Sequence, residues 1–238
     1  YGWSLDVNTL RLSTSRVLGT GWEVLKSGLA YRLVPTDAHT VSVTMPDGHV
    51  EQFDMVVAPS NSAIVPFPPL TQSVRYQPRP GTLGQLASLD ENFVSILDPQ
   101  PGVIDLRRDS DGRVYEPQRF RYTAADGTRI DIHKTSGVER IVDPNGNTLT
   151  FSENGITHSA GKSVVFDRDV QGRITRITDP VGNVRSYDYD ANGDLRSHTD
   201  GEGNATQFTY DWRHGLIEIV DPLGRPLARN EYDDDGRL

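Results

Sequence analysis

The chain has 238 residues, of which 35% are hydrophobic, and this length and composition allow it to bury a core. Its 22 glycines and 15 prolines are typical of a β protein rich in turns, and its formal net charge of −9 argues against a nucleic-acid partner, whose phosphates would repel it. The absence of cysteine excludes disulfides and thiolate chemistry, and the absence of an apolar run of about 18 residues predicts no membrane-spanning helix.

Residues 1–57 are predicted to form an N-terminal region of β-hairpins. Tyr1–Val7 and Gly21–Val24 have the composition of short strands. Asp47-Gly48 lies inside Met45–Phe53, where polar and apolar residues alternate after the turn, and this arrangement predicts a hairpin.

Residues 58–125 are predicted to form a proline-rich connection with one short helix and a further hairpin. Proline removes a backbone donor and is excluded from central strands, so the prolines between Ala58 and Gly81 predict a long surface connection or extended arm. Helical spacing of Leu86, Leu89, Phe93 and Ile96 predicts a helix over residues 84–96. Asp126-Gly127 predicts the next hairpin turn.

Residues 126–238 carry a repeated pattern. Asp179, Asp200 and Asp221 lie 21 residues apart, and an aromatic residue precedes each by 13 positions. An earlier copy contains Asp143, and a last, truncated copy begins at Tyr232. A fixed period of this length marks a repeat architecture. The residues that define the pattern are Asp143, Gly146, Phe166, Gly172, Asp179, Gly182, Tyr187, Tyr189, Gly193, Asp200, Gly203, Phe208, Tyr210, Asp221, Gly224, Tyr232 and Gly236.

Each copy is predicted to contain two short antiparallel strands and two turns. Tyr187 and Tyr189, at i and i+2, belong on one face of a strand, in line with Phe208 and Tyr210 of the next copy. Asn192-Gly193 is predicted to supply two positive-φ residues to a tight hairpin turn. The predicted meander has strands near residues 164–168, 173–178, 184–189, 195–199, 205–210 and 216–220.

Three departures from the regular pattern carry further expectations. Ile174 and Ile177 are three residues apart, so a bulge or strong twist is needed to place both on one face. His198 takes the position of Ile177 and is predicted to be a partly buried sheet residue. The longer spacing between the first copies predicts an insertion or irregular hairpin around Thr150–Lys162, and Gly215 is displaced by one residue relative to the other turn glycines.

The repeated pattern resembles the YD repeat of the RHS family. It consists of an aromatic residue, a Tyr-Asp pair, a turn glycine and then Asp-Pro-x-Gly-Asn. The resemblance covers residues 126–238 and is carried by Asp143–Asn147, Gly172–Ile174, Asp179–Asn183, Tyr187–Leu195, Phe208–Asp211 and Tyr232–Leu238. The family includes bacterial polymorphic toxins, cocoon-forming components of insecticidal toxin complexes, wall-associated bacterial proteins and animal teneurins. The resemblance implies an all-β fold, an antiparallel meander of hairpins within a β-sheet spiral that forms a hollow shell, often around a C-terminal cargo.

One segment matches the first half of a calcium loop, in which alternate oxygen ligands and a glycine wrap a hard cation. Its residues are Asp188, Asp190, Asn192 and Asp194. The bidentate glutamate that completes such a loop is missing, because Thr199 stands there. A solvated hairpin turn explains the same residues, and the six histidines have no metal-ligand spacing, so we predict neither a metal nor a cofactor.

No nucleophile motif, base or metal set is visible, which predicts a non-enzymatic protein. The resemblance implies that it is a structural segment of an RHS-type shell. Asp221-Pro-Leu-Gly-Arg superficially resembles the self-cleaving segment of RHS proteins, but it is in phase with the repeats and is interpreted as a turn. The predicted partner is the remainder of one large secreted or surface polypeptide, of which this sequence reads as an excerpt. The alternative is a cell-surface binding module that holds carbohydrate or calcium on its aromatic ladder or acidic turns.

Overall fold

A computed structural model describes residues 10–62, 72–96, 101–233, 235 and 237. Every regular element within these ranges is a β-strand, and all the strand pairs given below are antiparallel. The predicted all-β, antiparallel fold is therefore confirmed. The described residues divide into two compact units, one that ends at Thr148 and one that begins at Leu149. We call them the N-terminal unit and the repeat unit.

The described residues of the N-terminal unit form fourteen strands. They are β1 Arg11–Thr14, β2 Trp22–Ser27, β3 Ala30–Pro35, β4 Thr40–Thr44, β5 Val50–Ala58, β6 Asn61–Ser62, β7 Gln72–Pro78, β8 Gln85–Ser88, β9 Phe93–Ser95, β10 Gly102–Ile104, β11 Arg107–Arg108, β12 Arg119–Thr123, β13 Arg129–His133 and β14 Gly137–Val142. Strands β10, β2, β3 and β6 form a separate small sheet. The predicted strand over Gly21–Val24 falls largely in β2, and the predicted hairpin around Asp47-Gly48 joins β4 to β5. The strand predicted over Tyr1–Val7 lies outside the described residues.

The core of the N-terminal unit is built from the alternating apolar residues of its strands. Val41, Phe53, Phe120 and Ile132 are fully buried. Edge-to-face contacts join Phe53 to Tyr122, with ring centroids 6.4 Å apart, and Tyr76 to Phe120, at 5.5 Å. Because each of these residues alternates with more exposed neighbours in its strand, the apolar side chains meet on one face.

The predicted boundary at residue 126 does not coincide with the boundary between compact units, which falls after Thr148. The cause is strand pairing. β12 pairs with β8, where Tyr122 lies opposite Leu86, and β13 and β14 continue from β12 as a meander. The first copy of the repeated pattern is thereby held in the N-terminal unit by partners that the repeat period does not reveal.

The helix predicted over residues 84–96 is wrong. This segment forms β8 and β9, with Leu86 and Ser88 buried and their neighbours Gln85 and Ala87 exposed, as in a strand. Phe93, which the helical stripe would bury, is 51% exposed. Pairing of β8 with β12 supplies backbone hydrogen bonds from distant residues, and these outweigh a short run with helical spacing.

The prediction of a long surface connection over residues 58–81 is wrong for its last part. Gln72–Pro78 is the strand β7, which pairs with β5 and buries Val74 and Tyr76. Pro78 is the last residue of that strand and Pro80 lies beyond it, so neither removes a donor from the strand interior. Residues 63–71, which hold the other prolines of the cluster except Pro59, lie outside the described part of the chain.

The repeat unit is an antiparallel meander of nine strands, in which each strand pairs with the next. They are β15 Thr148–Ser152, β16 Gly155–His158, β17 Ser163–Arg168, β18 Ile174–Thr178, β19 Val184–Tyr189, β20 Leu195–Thr199, β21 Ala205–Tyr210, β22 Leu216–Val220 and β23 Pro226–Arg229. All six predicted strands are confirmed to within about a residue. The irregular segment Thr150–Lys162 contributes the hairpin β15–β16.

The turn around Asn192-Gly193 differs from the predicted two-residue turn with two positive-φ residues. Gly193 has a φ of +91°, but Asn192 is not among the positive-φ residues. The Gly193 N–H donates to the carbonyl of Asp190 (3.1 Å), and the Asp190 N–H donates to the carbonyl of Asp194 (2.9 Å). This is a three-residue loop, a type I turn followed by a left-handed glycine.

The predicted bulge is present and recurs once in each copy. Phe166 lies opposite Ile177 and Arg168 lies opposite Ile174. One residue separates these positions on β17 and two separate them on β18, so Thr175 is the extra residue of β18. The same register shift occurs in the β19–β20 and β21–β22 pairs. Because the extra residue restores the alternation, both isoleucines lie on the face that carries Phe166.

The turn geometry generates a first prediction, which compares two glycines of the turn Asp200–Asn204. Gly203 has a φ of +88° and a Cβ there would touch nothing, whereas Gly201 has no positive φ. We expect Gly203→Ala to lower the free energy of unfolding by about 1–2 kcal/mol through backbone strain alone. Gly201→Ala should be neutral or stabilising by up to about 1 kcal/mol. Urea melts of both variants test this, and equal midpoints would contradict the turn assignment.

Candidate functional site

The turns of the repeat unit hold most of its acidic residues. Repeat turns join the two strands of one copy and connecting turns join one copy to the next. The repeat turns are Asp169–Arg173, Asp190–Asp194 and Asp211–Gly215, and the connecting turns are Asp179–Asn183, Asp200–Asn204 and Asp221–Arg225. Because the strands form a meander, the two kinds of turn lie at opposite ends of the strands.

The first aspartate of each turn is a structural acceptor. Its Oδ1 accepts the backbone N–H groups of the residues two and four positions later, at N···O distances of 2.7–3.0 Å. The same arrangement occurs at Asp143 and at Asp233. A side chain that bonds its own backbone in this way favours a turn over a continuing strand.

In several connecting turns the residue at the fifth position adds a side-chain bond. The amides of Asn183 and Asn204 donate to Oδ2 of Asp179 and Asp200, at 2.8 and 3.0 Å. The bond from Asn204, followed by the backbone N–H groups of the turn, lowers the pKa of Asp200. The charged carboxylate is therefore the form that the turn requires.

The four candidate calcium ligands do not converge. Asp190 Oδ1 is occupied by two backbone N–H groups, and both carboxylate oxygens of Asp194 face His214 Nδ1 at 2.9 and 3.0 Å. Asp188 is on a strand, 3.8 Å from Arg196, and the Asn192 N–H is one of the donors to Asp190. Across the described ranges, no group of three or more acidic or histidine side chains is placed to hold a metal ion.

One face of the repeat unit carries its aromatic ladder. Cross-strand partners lie on the same face of a sheet, and the register pairs Phe166 with Ile177, Tyr187 with His198 and Phe208 with Ile219. We call this the aromatic face, formed by Phe166, Ile174, Ile177, Tyr187, Tyr189, Leu195, His198, Phe208, Tyr210, Leu216 and Ile219. Phe166 and Ile174 are buried and the others are half-buried. His198 stacks against Tyr187 with ring centroids 5.1 Å apart, which confirms its prediction as a partly buried sheet residue.

The opposite face is polar. It carries Ser186, Asp188, Gln207 and Thr209, which are exposed, and an ion pair between Glu218 and Arg229 at 2.8 Å. The two faces of this sheet therefore differ in chemistry along its length.

Two tyrosines at the second aromatic position, Tyr189 and Tyr232, join consecutive copies, a role that the sequence analysis missed. The Tyr189 hydroxyl donates to the carbonyl of Ile174 in the preceding copy (2.8 Å), and the Arg173 guanidinium lies 4.3 Å from the centre of the Tyr189 ring. Tyr232 donates to the carbonyl of Leu216 in the same way (3.1 Å). Both carbonyls lie next to a bulge, where the strand ladder is interrupted. The sequence signal that could have predicted this contact between copies is the recurring Tyr-Asp pair.

An open groove of about 400 Å³ lies between two consecutive connecting turns. It is lined by Ile177, Asp179, Asn183, Arg185, Asp200, Gly201 and Glu202. The carboxylates of Asp179 and Asp200 are committed to their own turns, as described above. The lining side chains include no hydroxyl, thiol or imidazole group.

The structure places most of the repeat-structural residues in turns or on the aromatic face. The first aspartates and left-handed glycines form the turns, and the aromatic residues form the ladder of the aromatic face. The exceptions are Gly236, which lies outside the described residues, and the third repeat turn, where His214 takes the glycine position.

These features define an all-β repeat protein whose hairpins bury their apolar side against neighbouring copies. The family model described as RHS Repeat matches residues 168–205 and again residues 189–226. The second match begins 21 residues after the first, which is the period of the turns. Residues 168–226 therefore carry RHS repeats, and these two matches support an RHS/YD-repeat protein. No curated protein matches it in sequence.

The RHS repeat is a structural repeat and not a catalytic one, and proteins that carry it are typically extracellular or at the cell surface. Among the described residues, no helix is long and apolar enough to cross a membrane.

The turn aspartates generate a prediction on pH. Since the folded pKa of Asp200 is below its unfolded value of about 3.9, its contribution to stability is present above about pH 4 and is lost as the pH falls through the folded pKa. We expect Asp200→Asn to lower the urea midpoint at pH 7 and to lose less stability than the parent on acidification to about pH 3. Asp188→Asn is the control, because that exposed carboxylate caps no turn. Parallel pH profiles for Asp200→Asn and the parent would contradict the assignment.

The calcium candidate generates a separate prediction. Because Asp190 Oδ1 and both carboxylate oxygens of Asp194 are engaged by protein donors, calcium should bind no tighter than the millimolar range of poor oxygen sites. Calorimetric titration and thermal melts with calcium measure this. A rise of several degrees in Tm at sub-millimolar calcium, abolished by Asp190→Ala, would make these turns a functional site.

Proposed function

We propose that this chain is a non-enzymatic wall segment of an RHS-type shell, which encloses or presents another part of a large secreted or surface polypeptide. Its mechanism is mechanical: copies of one hairpin unit, each covered by its neighbours, add up to a continuous wall. The partner is the remainder of the same polypeptide, and a toxin is one kind of cargo that such a shell would hold.

The observation that carries this proposal is the difference between the two faces of the repeat unit. The aromatic face presents half-buried rings in the copies that contain Tyr187 and Phe208, and the polar face presents exposed hydroxyl, amide and paired charged groups. A sheet with one apolar and one polar face is typical of a layer that separates water from other material. The aromatic face is therefore proposed as the inner surface of the wall.

Two adjacent residues of β21 allow this to be tested, because the chain has no cysteine of its own. Thr206 lies opposite His198 on the aromatic face, and Gln207 lies opposite Ser197 on the polar face. Single variants Thr206→Cys and Gln207→Cys would be labelled with a maleimide, first in the 238-residue chain and then within the longer polypeptide that the proposal requires.

We expect the ratio of labelling rates, Gln207→Cys over Thr206→Cys, to rise at least about tenfold in the longer polypeptide, since enclosure shields one face only. Crosslinking from Thr206→Cys should reach the enclosed segment, whereas crosslinking from Gln207→Cys should not. An unchanged ratio would contradict the wall.

The half-exposed rings also favour a second candidate, a surface that binds carbohydrate. Equivalent rings such as those of Tyr187 and Phe208 lie on alternate strands, roughly 9–10 Å apart, and sugar rings stack on such platforms. This candidate requires the aromatic face to stay open to solvent. An unchanged labelling ratio together with protection of Thr206→Cys by added glycan would favour it over the wall.

A further inference from the structure

The repeat turns differ in chemistry at their fourth and fifth positions, where one copy touches the next. The fourth residue is Gly172, Gly193 or His214, the fifth is Arg173, Asp194 or Gly215, and the tyrosine that precedes the following turn is Tyr189, Tyr210 or Tyr232. We use the word joint for the place where the fifth residue of one turn meets the tyrosine or the fourth turn residue of the following copy. The three joints are closed by three different kinds of contact.

The first joint is closed by an arginine. The Arg173 guanidinium lies 4.3 Å from the centre of the Tyr189 ring, and the Tyr189 hydroxyl donates to the carbonyl of Ile174 at 2.8 Å. A Cβ on Gly193 would lie 3.2 Å from Arg173 Nη1, which is tighter than ordinary van der Waals contact. A side chain at position 193 would therefore compete with the arginine for its place on the ring.

The second joint is closed by an aspartate and a histidine. His214 Nδ1 lies 2.9 and 3.0 Å from the two carboxylate oxygens of Asp194, whose side chain is only 4% exposed. Burial, and then the charges of Asp194 and Asp190, raise the pKa of Tyr210, so the carboxylate lies near this tyrosine as Arg173 lies near its own. Since a carboxylate only accepts hydrogen bonds, a shielded aspartate at the fifth position needs a donor at the fourth position of the next turn.

The third joint is closed by the absence of a side chain. A Cβ on Gly215 would lie 2.9 Å from Cε2 of Tyr232, and the Tyr232 hydroxyl donates to the carbonyl of Leu216 at 3.1 Å. Tyr232 follows Tyr210 by one residue more than the period, and the bulge at Leu227 on β23 absorbs that residue. Any side chain at position 215 would push the Tyr232 ring out of this place.

We propose that the fourth and fifth residues of the repeat turns determine which copy can lie next to which, and so fix the order of the copies in the sheet. In a sheet with another order, His214 would meet Arg173 in place of Asp194. Tyr232 would likewise meet a side chain in place of Gly215. Strands of similar copies can pair one copy out of place during folding, and unfavourable contacts at the joints select against this. The inference does not depend on whether the sheet is a wall or a binding surface.

The first test rebuilds the second joint at the position of the first, in the 238-residue chain. Arg173→Asp and Gly193→His are made singly and together, and Tm is measured at one neutral pH. Gly193→His should fold, because His214 holds the same left-handed position in its own turn. Each single variant should lower Tm, whereas the double variant should melt at least about 2 °C above the sum of the two single effects, since it regains an aspartate–histidine contact.

The reverse conversion gives the second joint the residues of the first. Asp194→Arg and His214→Gly are again made singly and together, and His214→Gly relieves backbone strain at a φ of +66°. The arginine of the double variant should stack on Tyr210, and we expect the same sign and size of coupling in Tm. Zero or negative coupling in either cycle would overturn the proposed pairing of residues.

The order of the copies is tested by exchanging two segments of equal length, Asp169–Tyr189 and Asp190–Tyr210. In the exchanged chain Arg173 would face His214, so we expect a lower Tm than that of the parent. Adding Arg173→Asp and Asp194→Arg to the exchanged chain restores matching joints and should recover at least about 2 °C. Failure to recover, or an exchanged chain as stable as the parent, would show that these positions do not fix the order.

Discussion

The structure of the repeat unit depends on one interaction, the acceptance of two backbone N–H groups by the first aspartate of each turn. In Asp200–Asn204 these bonds are both 2.9 Å, and the left-handed Gly203 lets the chain return to the sheet. The turn fixes which residues of the two flanking strands lie opposite each other. The register decides which side chains share a face of the sheet. The turn aspartates, at the ends of the strands, therefore help to determine which side chains each face of the repeat unit presents.

The bulge that follows each repeat turn is the second element of this design. It places Ile174 and Ile177 on the same face, and it leaves an interruption in the ladder beside the carbonyl that Tyr189 binds. The carbonyl beside the bulge of one copy therefore accepts a hydrogen bond from a tyrosine of the next copy. Stability of such an array is a sum over neighbouring copies, because no copy closes a core by itself.

The hydrogen-bond partners of the polar groups in the repeat unit support a structural role. Asp190 and Asp194 resemble metal ligands in the sequence, but backbone N–H groups occupy Oδ1 of Asp190, and His214 contacts both carboxylate oxygens of Asp194. The aromatic rings form a continuous face in place of an isolated pocket. Groups that satisfy one another in this way build a surface, and this agrees with a structural repeat.

The sequence by itself determined the repeat unit, its six predicted strands, its faces and its bulge, because a 21-residue phase and alternation along a strand are local properties. It failed where distant strands decide the outcome: Gln85–Ser88 is a strand because β12 pairs with it, and the first copy belongs to the N-terminal unit for the same reason. The type of turn at Asn192-Gly193 could be assigned only from the hydrogen bonds that Asp190 makes in the structure. The contact of His214 with Asp194 also required the tertiary structure, since only strand pairing brings positions in consecutive copies within hydrogen-bonding distance.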